Sequence, residues 1–175
     1  MKTSLPLYEL YASALEELAD LAPERAFGEA VSLLDSVARD GDFLSACVLP
    51  HLEEARGASD WYVAHHQEEG ADSCSLQVFV WPPGSRTRIH DHSSWGAYRC
   101  LAGSLLEERY ERLDDGSVAE HARLRELWQL LWTPQDGDST VLAGDDGIHR
   151  VGNAGGRGRR LRSPYTSTVR AQGGR

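Results

Sequence analysis

The hydrophobic pattern of the chain changes about a third of the way along its length. Apolar side chains recur at helical spacing in residues 8–21 and again in residues 25–38. Pro23 separates these two segments, and Gly41 ends the second. A third, short helix is predicted at about residues 43–54. The first third of the chain is therefore predicted to be helical.

From Trp61 onward, short apolar runs separated by turn residues replace the helical pattern. The run Leu76–Trp81 is typical of a strand, and Pro82, Pro83 and Gly84 follow it as a turn. Further strands are predicted at 86–91, 95–101, 104–111, 118–123, 126–133, 138–143, 148–152 and 159–169. The segment 120–132 also permits a helix, but the turns that flank it favour a strand. Many short strands at regular spacing predict an antiparallel barrel or sandwich.

The length of 175 residues fits a single domain. We expect helices in residues 1–57 to pack on a β-barrel formed by residues 58–170, with residues 171–175 as a tail. The apolar fraction of 41% is ordinary for a globular protein and argues against wholesale disorder.

The charge and the cysteines restrict the class of partner and the compartment. A net charge of −9 argues against general nucleic-acid binding and against binding to anionic membranes. No window approaches the ~18–20 apolar residues of a membrane span. Cys47, Cys74 and Cys100 lack zinc-type spacing and are expected to be buried small apolar side chains. With no secretory signal evident, we expect a cytoplasmic protein, either monomer or homodimer.

The sharpest local feature is the sequence His90-Asp91-His92. In a strand, residues i and i+2 project from the same face, so the two imidazoles are expected to lie side by side. A His-x-His pair alone is weak evidence of a metal site, but a third histidine, His149, follows in the glycine-bounded segment 147–153. Neutral imidazole binds iron, zinc, copper and nickel, so the three histidines predict a metal site.

The histidines also fall in two recognisable motifs. Gly-x5-His-x-His at 84–92 and His-x3-Asn at 149–153 resemble the two cupin motifs. Most cupins add a glutamate ligand after the second histidine, whereas the matching positions here are Gly96 or Ala97. A triad of histidines alone is similar to the thiol dioxygenase branch, which includes cysteine dioxygenase and mercaptopropionate dioxygenase. The resemblance covers roughly residues 60–155.

This resemblance implies a mainly β fold, a cupin double-stranded β-helix (jelly-roll barrel) with an N-terminal α-helical segment. It implies Fe²⁺, with Ni²⁺ or Zn²⁺ as alternatives, held by His90, His92 and His149. The implied activity is that of an oxidoreductase that adds dioxygen to the sulfur of a small thiol, cysteine or a related mercapto acid. The product would be a sulfinate or a further oxidised compound. The alternatives are a non-catalytic cupin sensor that binds a metal or ligand, and a zinc or nickel cupin isomerase or hydrolase.

Several residues depart from the family pattern. A family tyrosine aligns with Tyr62, but the substrate-binding arginine two residues later is replaced by Ala64. The cross-linking cysteine is replaced by Ala97, so no cysteine–tyrosine thioether is expected. The family's Ser-x-His-x-Tyr triad is also missing, because no histidine follows His149. Tyr62 and Tyr165 remain the candidate catalytic hydroxyls.

Because the family's substrate-binding arginine is missing, another residue is expected to bind the substrate. The resemblance implies that Ala97 occupies a position that points into the pocket, and alternation along the strand then predicts that Arg99 points inward too. Arg88 is expected to share the face of His90 and His92. Either guanidinium would bind a carboxylate, although a solvent-facing arginine paired with a surface acid remains the alternative. The candidate substrate-binding residues are Arg99, Arg88, His65, His66 and Trp95.

Overall fold

The computed structural model describes residues 5–68, 74–118, 121–153 and 166–172. Its helical elements are α1 (Leu5–Ala19), α2 (Pro23–Arg39), α3 (Gly41–Phe43), a π-helical turn at Leu44–Val48, α4 (Leu49–Glu54) and 3-10 turns at Ala55–Gly57 and Gly144–Gly147. Its strands are β1 (Tyr62–Glu68), β2 (Ser75–Trp81), β3 (Gly96–Ala102), β4 (Leu105–Arg112), β5 (Leu124–Trp132), β6 (Ser139–Val141), β7 (His149–Asn153) and β8 (Thr166–Gln172). None of the helices in these ranges is long and apolar enough to cross a membrane.

The three predicted helical segments are present. Asp40, which follows α2, makes hydrogen bonds to residues of the other two segments. Its side chain accepts hydrogen bonds from the backbone N–H groups of Asp42 and Phe43, at 2.9 and 3.0 Å, and so begins the helix after α2. The hydroxyl of Tyr11 in α1 donates to the same carboxylate at 2.7 Å. These bonds lower the pKa of Asp40, with the Phe43 bond the largest cause. One acidic residue therefore links α1 to the junction between α2 and α3.

The strands form two antiparallel sheets. The first has five strands in the order β1-β2-β8-β3-β6, and the second has three strands in the order β5-β4-β7. Because β8 pairs with both β2 and β3, the end of the chain completes the larger sheet. This arrangement confirms the predicted class of fold, which is mainly β, with antiparallel sheets and an N-terminal helical segment.

Both faces of the five-stranded sheet are covered. Its outer face packs against the helices in a cluster that includes Leu15, Leu34, Val37, Leu76, Val78 and Ala97. Its inner face meets the three-stranded sheet in a second cluster formed by Trp81, Tyr98, Cys100, Leu105, Val141 and Val151. The three cysteines are buried in these clusters, as expected. The inner cluster forms the base of the candidate site.

Two of the predicted strands are wrong. Residues 86–91 run antiparallel beside β7 but make only isolated β-bridges to it, because the register shifts by one residue between the Arg86–Gly152 and His90–His149 bridges. Residues 121–123 are irregular, since the carboxylate of Asp114 accepts a hydrogen bond from the backbone of Arg123. The strand predicted at 159–169 falls partly outside the described residues, and β8 begins at Thr166.

Candidate metal centre

The three predicted histidine ligands come together at one end of the inner cluster. His90 and His92 lie in the segment between β2 and β3, and His149 is the first residue of β7. The centroids of their rings are 4.8, 4.8 and 4.9 Å apart. One ring nitrogen from each lies within 4.8 Å of the others, which is close enough for all three to bind one ion.

Backbone hydrogen bonds hold the histidine segment against β7. The N–H of His90 donates to the carbonyl of His149 at 3.0 Å, and the N–H of His149 donates back to His90 at 2.9 Å. The carbonyl of His92 accepts from the N–H of Gly144 at 2.8 Å. The rings therefore converge although His90 and His92 do not lie on a regular strand.

The partners of the Nδ1 atoms determine which nitrogens can bind a metal. The Nδ1 atom of His90 lies 2.9 Å from the carbonyl oxygen of Arg88, and that of His149 lies 3.2 Å from Oε1 of Glu107. Because these oxygens are acceptors, each Nδ1 carries the proton and each Nε2 presents a lone pair. Both imidazoles are thus held in the tautomer that binds a metal through Nε2.

The spacing of the Nε2 atoms tests whether an ion fits. The Nε2 atoms of His92 and His149 are 2.9 Å apart. Two nitrogens bound about 2.1 Å from one ion, at right angles, lie about 3.0 Å apart. The Nε2 atoms of His92 and His149 are therefore spaced like two neighbouring ligands of one ion, and the all-imidazole donor set suits iron, nickel and zinc.

The sequence pattern did not indicate Glu107, a fully buried carboxylate that is hydrogen-bonded to His149. Besides His149, it accepts hydrogen bonds from Nε1 of Trp132 and Oγ of Ser139, both at 2.8 Å, and from the guanidinium of Arg109. The available signal was the alternation of Leu105 and Glu107, which places an acid on the apolar face of β4.

This network sets the protonation of both partners. Burial raises the pKa of Glu107, but the hydrogen bond from His149 and the charge of Arg109 outweigh it and lower the pKa to about 2. Burial lowers the pKa of His149, and the bond to Glu107 opposes that change. At neutral pH the carboxylate is therefore ionised and the imidazole is neutral, which is the form that binds a metal.

A cavity of about 100 Å³ opens beside the histidines. Trp61, Phe79 and Trp81 form one wall, with the rings of Trp61 and Trp81 stacked 5.4 Å apart. Among the described residues that line the cavity there is no arginine or lysine. The cavity thus combines an aromatic wall with the nitrogens of the three histidines.

Tyr98 also lines the cavity, with its ring centroid 6.0 Å from that of His149. Its hydroxyl is buried and makes no hydrogen bond within the described part of the chain. Burial, and then the charge of Glu107, raise the pKa of Tyr98 well above its usual value. The hydroxyl therefore keeps its proton.

The inward orientation predicted for Arg99 is wrong. Tyr98 faces the cavity, so Ala97 and Arg99 face the helices. The guanidinium of Arg99 lies 2.9 Å from Asp138 and 3.1 Å from Asp35 of α2. These carboxylates neutralise its charge on the far side of the sheet.

Tyr62 and Trp95 also lie on the helical side. The hydroxyl of Tyr62 donates to the backbone carbonyl of His51 in α4 at 3.2 Å. The ring of Trp95 packs against Phe27 of α2, with centroids 5.3 Å apart. Neither side chain is among the described residues that line the cavity beside the histidines, and their predicted roles in catalysis and substrate binding stay predictions.

The other candidates have different positions. Arg88 is exposed, and it contributes its backbone carbonyl rather than its guanidinium, as the partner of His90. His66 is exposed on β1, opposite Gln77. The backbone of His65 pairs with β2, but its side chain lies outside the described residues, as does Tyr165.

No protein-family model matches the sequence. Among solved structures, the chain is similar to a cupin superfamily protein from Desulfitobacterium hafniense, with a TM-score of 0.47 and 12% identity over 73% of this chain and 90% of that one. A protein from Thermus thermophilus gives a TM-score of 0.46 and 18% identity over 73% and 94% of the two chains. An oxalate oxidase gives 0.41 and 17% over 58% and 42%. Each is a likeness of fold and assigns no activity.

Proposed function

We propose that this protein is an iron(II)-dependent oxygenase of a small thiol, with cysteine or a related mercapto acid and dioxygen as substrates. The observation that carries the proposal is the triad of His90, His92 and His149 beside a small aromatic-walled cavity. Three neutral imidazoles without a carboxylate leave three octahedral positions for reactants. The net reaction inserts both atoms of dioxygen at sulfur, so that the thiol becomes a sulfinic acid, and further oxidation would consume additional dioxygen.

The bound ion and the residues of the cavity would have separate roles in the reaction. When bound, the ion would lower the pKa of the thiol and bring the two reactants close together. The aromatic wall of Trp61, Phe79 and Trp81 would exclude water from the sulfur. The protonated hydroxyl of Tyr98 would donate a hydrogen bond to oxygen as it is added to the sulfur.

Oxygen consumption tests the proposal. Protein loaded anaerobically with Fe²⁺ should consume dioxygen when cysteine, mercaptopropionate or cysteamine is added, and mass spectrometry should find a product carrying two more oxygen atoms. We expect His149→Ala to abolish turnover, because the ion loses one of its three ligands. His51→Ala is the matched control, since that side chain contacts Glu54 on α4 instead.

The same experiment separates the alternatives. Iron-loaded protein that binds thiols without consuming dioxygen would favour a sensor and contradict the proposed activity. Turnover of another substrate by the zinc or nickel form, without dioxygen, would favour an isomerase or hydrolase. The comparison of cysteine with cysteamine then shows whether the substrate carboxylate contributes to binding.

A further inference from the structure

We infer that Glu107 is a positioning residue, which fixes His149 for the metal and sets the metal affinity of the site. The inference rests on the metal site of the proposed function and adds a residue that no cupin motif marks. It follows from the hydrogen bonds of one fully buried carboxylate.

The bond between Nδ1 of His149 and Oε1 of Glu107 fixes the imidazole in two respects. It places the ring proton on Nδ1 and so leaves the lone pair on Nε2, only 2.9 Å from Nε2 of His92. It also restricts rotation of the ring about the Cβ–Cγ bond. A carboxylate in this position makes the imidazole a stronger donor to a metal.

The carboxylate is itself immobilised. Ser139 of β6 and Trp132 of β5 each donate to its Oε2 atom at 2.8 Å, and Arg109 of β4 donates to Oε1. The guanidinium of Arg109 lies over the ring of Trp128, 5.6 Å from its centroid. Donors from three strands therefore hold Glu107 in place, and the position of His149 depends on how these strands pack.

The negative charge of Glu107 also favours the binding of a metal cation. The three imidazoles are neutral donors, so they leave the charge of a bound dication uncompensated. Glu107 brings one negative charge next to a ligand in a region from which water is excluded, where electrostatic interactions are strong. An amide of the same shape would lack this charge, and its N–H group would face two of the present donors.

Glu108 provides a matched control on the same strand. It is also buried, but it lies on the opposite face of β4, where it pairs with Arg150 and accepts from Gln129 at 3.1 Å. Its carboxylate makes no hydrogen bond to any of the three histidines within the described residues. Glu108→Gln therefore removes a buried charge from β4 without altering a metal ligand.

The test is a competition titration of metal-free protein with Co²⁺ and Zn²⁺, together with the visible spectrum of bound Co²⁺. We expect Glu107→Gln to weaken metal binding about 10–100-fold. The Co²⁺ spectrum should shift in Glu107→Gln, because the donor strength of His149 changes, and remain unshifted in Glu108→Gln. Metal affinity in Glu108→Gln should equal that of the unmodified protein.

The outcomes are distinct. Equal affinity and an identical Co²⁺ spectrum in Glu107→Gln would overturn the inference. If that variant does not fold, Ser139→Ala, which removes one donor to the carboxylate and keeps its charge, should still weaken binding, and unchanged binding would again overturn the inference. Failure of the unmodified protein to bind metal would instead overturn the metal site itself, and with it the proposed function.

Discussion

Arg99 shows how one residue can be mistaken for a ligand-binding group. Its guanidinium contacts Asp138 at 2.9 Å and Asp35 at 3.1 Å, on the face of β3 that packs against α2. The side chain of Asp138 is only 6% exposed. Burial raises the pKa of Asp138, and the charge of Arg99 opposes that change. The arginine therefore stabilises a buried carboxylate between the helix and the sheet.

We predict that Arg99→Ala destabilises the fold by about 3 kcal/mol, because it leaves the buried Asp138 without its cation. Urea denaturation measures the free energy of unfolding, and metal titration of the same variant should show unchanged affinity. Arg39→Ala is the control, since Arg39 also pairs with Asp35 but is 77% exposed, and should cost less than ~1 kcal/mol. A variant of Arg99 with normal stability and a selective loss of turnover for acidic thiols would contradict this assignment.

The residues of the site were only partly predictable from the sequence. The histidines could be found because the spacing of His90, His92 and His149 is local and matches two motifs. The orientation of β3 could not be predicted from the sequence. Helices cover one face of the strand and the inner cluster covers the other, so both faces are buried. Without a polar face, alternation does not reveal which side of a strand points inward. Glu107 was missed because its partners come from distant segments.

At the scale of elements, the segment that carries His90 depends on a close approach to β7. Arg86 forms a β-bridge with Gly152, and His90 forms another with His149. A Cβ atom added at Gly152 would lie 2.4 Å from Cβ of Arg86 and 2.5 Å from the carbonyl oxygen of Ser85. Only glycine lets the two segments approach this closely.

Gly152→Ala should therefore separate the histidine segment from β7. We expect a loss of about 1–3 kcal/mol in the free energy of unfolding, together with weaker metal binding because His90 moves away from His149. Thermal unfolding and Co²⁺ titration measure the two effects. Gly137→Ala should change neither quantity, since a Cβ there has nothing within 4 Å. Normal affinity in a destabilised Gly152 variant would show that the bridge does not position His90.

For the whole molecule, the sequence predicted the class of fold better than its strand order. Turn residues mark strand ends locally, so the N-terminal helices and most of the described strands were predictable, although β1 was not predicted. The placement of β8 between β2 and β3 was not predictable, because that pairing joins segments far apart in the chain. The three clustered histidines come from segments that belong to different sheets. His149 lies in the three-stranded sheet, and the segment with His90 and His92 connects two strands of the five-stranded sheet.

A bound ion should therefore stabilise the whole fold by joining the two sheets. An ion that binds only the native state adds about 2.7 kcal/mol when its free concentration is 100 times Kd. We predict that Co²⁺ or Fe²⁺ raises the Tm of the unmodified protein, that a chelator reverses the rise, and that His149→Ala abolishes it, because two histidines from one segment cannot link the sheets. His51→Ala should keep the full rise, since its side chain pairs with Glu54 in α4 and is not one of the three clustered histidines. An unchanged rise in His149→Ala would place the ion elsewhere in the protein. A rise that is lost in His149→Ala and kept in His51→Ala would instead locate the ion between the sheets, where the cavity and its aromatic wall also lie.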